Sequence, residues 1–370
     1  MATTYRYLFA DLRTNAILAE LPLTGVSFAQ VLNNAGTLNA RILISDVRES
    51  GYDIKNVTIP ARTAIYVDRD GVLIWGGIIW LRTYNSADQH ITISAREFMS
   101  YFERRRITAT TVYSNYDQLA IAQSLVNIAQ SVTGGNIGVT VPTNTSGVLV
   151  SRVYFDYEFK DVFGAVKDLS NSNTGFDCNI DVQYDSTGTP QKYLRTQYPQ
   201  RGITYNAANS DSLVFEFPGN LVSYEWPDDG SIVANTMYGI GPNSNEAKIR
   251  ATAVGPAGQV GAGWPFLEDT TTYNDQYDST LLYQQTLAEV TARQNPVVTI
   301  KITLPAYVSP TLGNYQTGDQ CLLRITDDRF PQPSYGGYGS ATVQRIVAIT
   351  VNPGEDGPEL VTLTLADPSV

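Results

Sequence analysis

The residues able to do chemistry are few, and each stands in a context that suggests another task. The one histidine among 370 residues, His90, lies in the alternating run Gln89-His90-Ile91-Thr92-Ile93-Ser94, which reads as a strand. A Ser-His-Asp or Cys-His arrangement would have to use it. Neither a GxSxG elbow nor a cysteine-nucleophile context is present, and HExxH zinc chemistry needs a second histidine. Neighbouring carboxylates occur as Asp68/Asp70, Asp228/Asp229, Asp327/Asp328 and Glu355/Asp356. Two carboxylates at a set separation are the machinery of glycoside hydrolysis. Here each pair sits near Gly or Pro in a predicted turn, where Asp bonds its own backbone, and turn chemistry is the preferred reading. The EF-hand spacing is absent, so a weak calcium site in one of these Asp-rich turns is the alternative.

Cys178 and Cys321 lie far apart in the chain and show neither metal-ligand nor CxxC spacing. They read as buried small hydrophobes, with a pair between them as the alternative. Tyr335-Gly336-Gly337-Tyr338-Gly339 is neither a Walker loop nor a dinucleotide fingerprint, and its tyrosines suit a contact loop. Arg104-Arg105-Arg106 is the one basic run and reads as a solvated helix end. The expectation is a chain with no catalytic residues, no cofactor and no metal, and not an enzyme.

Bulk composition agrees with that. The chain is 43% hydrophobic but only 16% charged, against roughly 25% in an average soluble protein, and it holds 23 tyrosines. Such a chain suits strands and surfaces that meet other proteins. A net charge of −11 argues against a phosphate-gripping nucleic-acid binder, which needs cations to release counterions. It is compatible with a surface past which DNA slides without sticking. No run approaches the roughly 18 apolar residues of a membrane span, and Met1 to Arg13 lacks the pattern of a secretion signal. Synthesis in a bacterial cytoplasm is expected.

The elements that must position these residues are mostly strands. Tyr5–Phe9 and Ala16–Pro22 pair by pattern across the turn at Asp11–Asn15. Leu38–Ile44 is a further strand. Ala64–Val67 and Val72–Trp75 flank Asp70-Gly71, a strong hairpin signal. The second of these continues through Gly76-Gly77 into Ile78–Leu81, and the glycines predict a bulge or bend. Residues 96–102 read as a short helix.

From about Thr108 the period becomes helical. Ser114 with Asp117 predicts a cap, Leu119 to Val132 follow at helical spacing, and Gly134-Gly135 stops the run. A second helix is expected from Lys160 to about Thr174-Gly175, and strands at Phe176–Tyr184 and Gln191–Thr196. Strand-like pattern returns over 207–250, loop sequence fills 254–278, and Ser279 opens a helix halted by Asn295-Pro296. Strands close the chain at Val297–Leu304, Gln320–Thr326, Ala341–Val351 and Glu359–Leu365.

The two ends repeat one plan. Arg62–Val67 leads into a long bent strand and then a final strand at Ile91. Gly318–Ile325 leads through a longer loop into Thr342–Ile349 and then a final strand. The expected architecture is mainly β with an α+β insert, two β-barrels flanking a middle region. Its domains are 1–107 (N-terminal barrel), 108–206 (α+β insert), 207–278 (β-rich connection with a long loop) and 279–370 (helix plus C-terminal barrel).

Four segments carry a family likeness: Arg6–Thr14, Leu18–Leu23, Arg62–Gly71 and Trp75–Trp80. They resemble the minor tail proteins of siphophages infecting actinobacteria, members of a tail-tip hub family related in fold to the central baseplate hub of contractile-tailed phages. The likeness is sharpest over 5–102 and returns over 279–365. It implies two tail-tube-like barrels per chain and a homotrimer whose six barrels form a pseudo-sixfold ring. That ring would join a hexameric distal tail protein to tip or fibre proteins, with a tape-measure protein as neighbour, and conduct DNA through its lumen. The virion tail tip is the implied location. Some hub relatives carry a C-terminal peptidase or lysozyme domain. This chain ends at Val370, directly after its last strand, so that activity is not expected.

Partner contacts are expected at Tyr335, Tyr338, Trp264 and Tyr273. Two rival readings stand beside this one. One is a receptor- or glycan-binding tail protein presenting Trp264-Pro265-Phe266, Tyr273, Tyr277, Tyr335 and Tyr338 to saccharide, the other a cell-wall hydrolase built on a carboxylate pair.

Overall fold

The computed structural model describes residues 3–45, 51–172, 174–209, 212–244, 247–273, 279–295, 297–354 and 357–368. The chain forms two compact units, residues 1–224 with 301–370, and residues 225–300.

Unit 1 begins with seven strands: β1 (Tyr5–Asp11), β2 (Ile17–Glu20), β3 (Thr24–Val31), β4 (Thr37–Leu43), β5 (Thr63–Arg69), β6 (Val72–Asn85) and β7 (His90–Glu97). Two one-turn helices accompany them, α1 (Ile54–Val57) before β5 and α2 (Met99–Phe102) after β7. β3 escaped the sequence reading, and the short helix expected over 96–102 is cut to its second half. β7 runs on to Glu97 because Thr37 to Leu43 of β4 pair residue by residue with Arg96 to His90, and Glu97 itself pairs with Gly77 of β6. β6 changes partner midway, from β5 at residues 72–78 to β7 at residues 77–85, with a register shift between Ile79 and Leu81. Gly77 makes that exchange sterically feasible. A Cβ there would stand 2.3 Å from the Arg96 carbonyl oxygen and 2.5 Å from the Trp75 ring.

The α+β part follows: β8 (Thr111–Asp117), α3 (Gln118–Ser131), β9 (Val139–Thr140), β10 (Leu149–Tyr154), α4 (Val162–Ser170), β11 (Asp177–Tyr184) and β12 (Pro190–Gln197). Asp117, and not Ser114, caps α3, accepting from the amides of Leu119 and Ala120. Ser114 lies inside β8, which pairs with β10 as a two-stranded ribbon. Asp161 caps α4 in the same manner, and that helix stops at Ser170, short of Gly175. Both helices bury an apolar face in a core shared with the first strands. Leu119, Leu125, Val126, Val166 and Leu169 join Leu8, Tyr66, Ile78 and Phe98 in one cluster.

The remaining strands of unit 1 are β13 (Val214–Phe217) and β14 (Ser223–Glu225), then, after unit 2, β20 (Ile300–Pro305), β21 (Gln320–Ile325), β22 (Ser340–Asn352) and β23 (Leu360–Ala366). Their order in the sheet is β14-β20-β23-β22-β21-β13, and the N-terminal order is β3-β4-β7-β6-β5-β1. Apart from β2, which extends the first set beyond β1 and has no counterpart, the two orders correspond position by position. The likeness of the two ends is therefore one of topology, β5-β6-β7 matching β21-β22-β23. The edge strands differ in direction: β1 runs antiparallel to β5, whereas β13 runs parallel to β21. The two sets merge into a single 13-stranded sheet through β3 and β22, where Phe28 to Val31 pair with Val351 to Ala348.

Unit 2 holds β15 (Asp228–Asp229), β16 (Thr236–Ser244), β17 (Ala247–Val254), β18 (Glu268–Thr272), α5 (Ser279–Arg293) and β19 (Val297–Val298). β18 lies within sequence that reads as loop; it is a polar five-residue strand, laid parallel to β16. α5 packs on β16 and β17, with Val290 and Leu287 against Ala234, Met237 and Ala253. Gly239 allows the close approach, since a Cβ there would meet Thr286 Oγ1 at 2.0 Å. In chain order the whole unit stands between β14 and β20. The matching place in the first repeat is the short turn between β3 and β4.

Candidate interaction site

Asp68 is buried: its Oδ1 accepts from the Gly71 amide at 2.8 Å and its Oδ2 from the Tyr184 hydroxyl at 2.5 Å. Asp70 turns away to accept from the Thr4 amide at 2.8 Å. Asp229 and Asp327 each accept backbone amides two or three residues on, as turn residues do. Asp228 lies beside Asp229 on β15, and Asp328 follows Asp327 directly. Glu355 and Asp356 fall outside the described residues. His90 is nearly buried on β7, with Asp88 Oδ2 3.8 Å from its Nδ1. Cys178 and Cys321 are buried and unpaired, and burial pushes the Cys178 thiol up to about 12, where it stays protonated. Among the described residues no three His, Cys, Asp or Glu side chains gather to hold a metal.

The basic run is likewise occupied. Arg104 lies over the Trp80 ring, Arg105 over Tyr101 with a bond to the Ala129 carbonyl, and Arg106 3.7 Å from Asp161. It braces the end of α2 against the α+β part and leaves no free phosphate grip.

The four aromatic contact residues divide between the units. Tyr335 and Tyr338 sit on the connection from β21 to β22. Tyr335 is 89% exposed, while Tyr338 is half-buried beneath the Arg324 guanidinium, 4.7 Å from ring centre to Cζ. Trp264 and Tyr273 belong to unit 2, where Trp264 is exposed and Tyr273 half-buried; Tyr277 falls outside the described residues. Tyr335 and Trp264 present their rings to solvent; the other two are packed on their own unit.

What the sequence did not reveal is a polar junction within unit 1. Asp177 of β11 and Arg345 of β22 form a buried ion pair. Asp177 also accepts from the Asn33 side chain at 2.9 Å and from the Arg201 amide. Arg201 reaches Asp181 Oδ1 at 2.8 Å and Gln316 Oε1 at 3.0 Å. Asp319 binds the Ile203 and Gln316 amides. Glu97 lies at the same place, accepting the Gly36 amide at 2.6 Å, and burial pushes its carboxyl up to about 8. Beside these groups lies a cavity of about 390 Å³, walled by Phe28, Trp75, Ile349 and Val351. Arg345 offers the one sequence signal, a cation within the apolar run from Thr342 to Val351.

Lys192 is the matching case on the other side of the α+β part. It occupies an inward position of β12, with Pro190, Leu194 and Thr196. Its Nζ donates to the carbonyls of Leu12 at 2.9 Å and Ile137 at 2.7 Å and to Asn15 Oδ1, 4.9 Å from the Phe98 ring centre. Burial pulls its pKa down to about 7, and nearby Asp11 opposes the fall. A lysine at an inward strand position was legible as an anomaly in the alternation.

No family model and no curated protein sequence matches this chain. Solved structures do. The 43 kDa tail protein of prophage MuSo2 from Shewanella oneidensis is similar over 99% of both chains, with a TM-score of 0.60 at 12% identity. A tail protein from Neisseria meningitidis MC58 covers 98% of both, with 0.58 at 12% identity. Prophage tail protein gp18 from Listeria monocytogenes EGD-e covers 97% of this chain and 94% of its own, with 0.53 at 12% identity. The fold is that of phage tail proteins, mainly β with an α+β part.

Proposed function

We propose that this chain is a structural component of a phage tail tip, a baseplate-type hub, and not an enzyme. The observation that carries this reading is the topological repeat. One chain presents the same strand order twice, β3-β4-β7-β6-β5-β1 and β14-β20-β23-β22-β21-β13, fused through β3 and β22. A homotrimer of such chains has six similar faces, the number a hexameric distal tail protein offers. Near-equivalent contacts then form without six copies of the hub, as closed symmetry favours. Full-length likeness in fold to prophage tail proteins supports the same assignment.

In this reading the ring joins the distal tail protein to tip or fibre proteins, lies next to the tape-measure protein, and belongs to the tail tip of a siphophage virion. Its lumen passes DNA, and a net charge of −11 disfavours sticking. Tyr335 and Tyr338 serve as partner contacts. Light scattering on the purified chain, with negative-stain images, tests the proposal. Three copies in a ring with a central opening are expected. A monomer that clears bacterial cell walls would overturn it in favour of the hydrolase.

A further inference from the structure

One segment of unit 2 stands apart in composition. Residues 254–267, Val-Gly-Pro-Ala-Gly-Gln-Val-Gly-Ala-Gly-Trp-Pro-Phe-Leu, contain no Asp, Glu, Lys or Arg. Four large apolar side chains in it face solvent: Val254 is 61% exposed, Phe266 57%, Val260 49% and Trp264 40%. The backbone is ordered by its own bonds. The Ala262 amide donates to Gly258 and Gln259, Gly263 to Val260, and Trp264 to Gln259 at 3.0 Å. The base is clamped in the unit. Asn235 donates to the Pro265 carbonyl at 2.8 Å and accepts the Leu267 amide at 3.0 Å, while the buried Gln259 donates to the Gln294 carbonyl.

We infer that this loop is a lipid contact, seating Trp264, Phe266 and Val260 in the interfacial layer of a bilayer. Each feature matches what that layer asks of a protein. The amides of Ala262, Gly263 and Trp264, bonded within the loop, need no water, since unsatisfied backbone is costly in hydrocarbon. Trp is favoured at the boundary, where its ring is apolar and its N–H stays wet. Uncharged Gly, Ala and Pro add little desolvation cost on entry. A protein or sugar partner would be expected to find polar or charged side chains for orientation, and the loop offers only Gln259, which is buried and donates its amide nitrogen to the Gln294 carbonyl. The acidic neighbours Glu268 and Asp269, in a chain of net −11, set the lipid class: zwitterionic headgroups in preference to anionic ones.

The test is flotation of the full chain with phosphatidylcholine vesicles, with brominated lipid as a quencher of tryptophan fluorescence. Co-flotation is expected, undiminished at 0.5 M NaCl and weaker on vesicles rich in phosphatidylglycerol. Quenching should be assigned to Trp264 by its loss in Trp264→Phe, a variant that still floats. The pair Trp264→Asp and Phe266→Asp should lower the bound fraction at least tenfold with an unchanged circular-dichroism spectrum and melting temperature. Absence of flotation, flotation abolished by salt, or a double variant that binds as well as the parent would each overturn the inference. Neither result bears on ring formation, which light scattering reads separately.

Discussion

The α+β part of unit 1 holds its two β neighbours by different physics. Towards the N-terminal strands it shares one apolar cluster, in which α3 and α4 pack on Leu8, Tyr66, Ile78 and Phe98. Towards the C-terminal strands its contacts include Asp177 with Arg345 and Arg201 with Gln316. Two modules of one topology are thus fastened once chiefly by burial of apolar area, with the buried Lys192 set beside it, and once by buried ion pairs. The lesson is that repetition of a fold does not repeat its attachments, because attachments use the side chains that face outward from the common strands.

The largest expected effect is on the charged side. Asp177→Ala leaves the buried Arg345 without its carboxylate, and unfolding in urea should show a loss of about 3–5 kcal/mol. Replacing both at once, Asp177→Leu with Arg345→Met, should cost less than either single change to Ala. If the double change costs the sum of the singles, the pair is not coupled and the contrast fails.

Next comes the apolar side. Leu125→Ala, at a fully buried position of α3, should cost roughly 2–4 kcal/mol by the same measurement and show no dependence on pH between 5 and 8. A pH-dependent loss would mean that Leu125 is coupled to the buried Lys192 on the same side.

Glu97 sharpens the comparison through pH. Its folded pKa, raised to about 8, lies above the unfolded value of roughly 4.3. Between those values the folded state binds the extra proton. Stability therefore falls as pH rises from roughly 4.3 to 8, by up to about 1.4 kcal/mol per unit from this group, and levels off above. Lys192 acts in the opposite sense and at higher pH. Its folded pKa near 7 lies below the unfolded value of roughly 10.4, so stability rises with pH across that interval. Glu97→Gln should flatten the fall between pH 5 and 8 in a pH series of thermal melts, and Lys192→Met should flatten the rise above pH 7. A Glu97→Gln slope equal to that of the parent would show that the junction carboxyl is not the source.

The smallest effect should come from removing unit 2. Joining β14 to β20 by a short Gly/Ser turn recreates in the second repeat the connection between β3 and β4. The melting temperature of unit 1 is expected to move by only a few degrees, because the unit's core, Met237, Ala253 and Val290, is its own. Collapse of unit 1 on excision would show that the two repeats differ in more than this insertion.

Much of the fold was legible. Asp70-Gly71 between β-branched runs announces the β5–β6 hairpin, and Gly76-Gly77 marks the place where β6 changes partner. The strands missed were β3, β8, β9, β10 and β18. β8 and β10 form a two-stranded ribbon with much of both strands exposed, so their side chains carry little of the alternation that identifies a strand. β18 is polar because its residues are exposed, and its pairing with β16, some thirty residues away, is what makes it a strand. The helix start was misplaced by three residues because Ser114 and Asp117 are equally good caps on paper. Pairing of β8 with β10 claims Ser114 for a strand.

The sequence by itself determined the strand-rich class, the repeat at the two ends, the poverty in catalytic constellations and the aromatic loops. These follow from local pattern: alternation, turn residues and residue counts. Tertiary structure alone decided that the two repeats fuse through β3 and β22. It also decided that Asp177, Arg201, Glu97 and Arg345 meet, and that Lys192 is ringed by carbonyls. Asp177 and Arg345 are 168 positions apart and Lys192 and Leu12 are 180 apart, and no local rule reaches that far. An ionisable side chain looks the same in sequence whether it will face water or a partner, and only the closing of the fold removes the water.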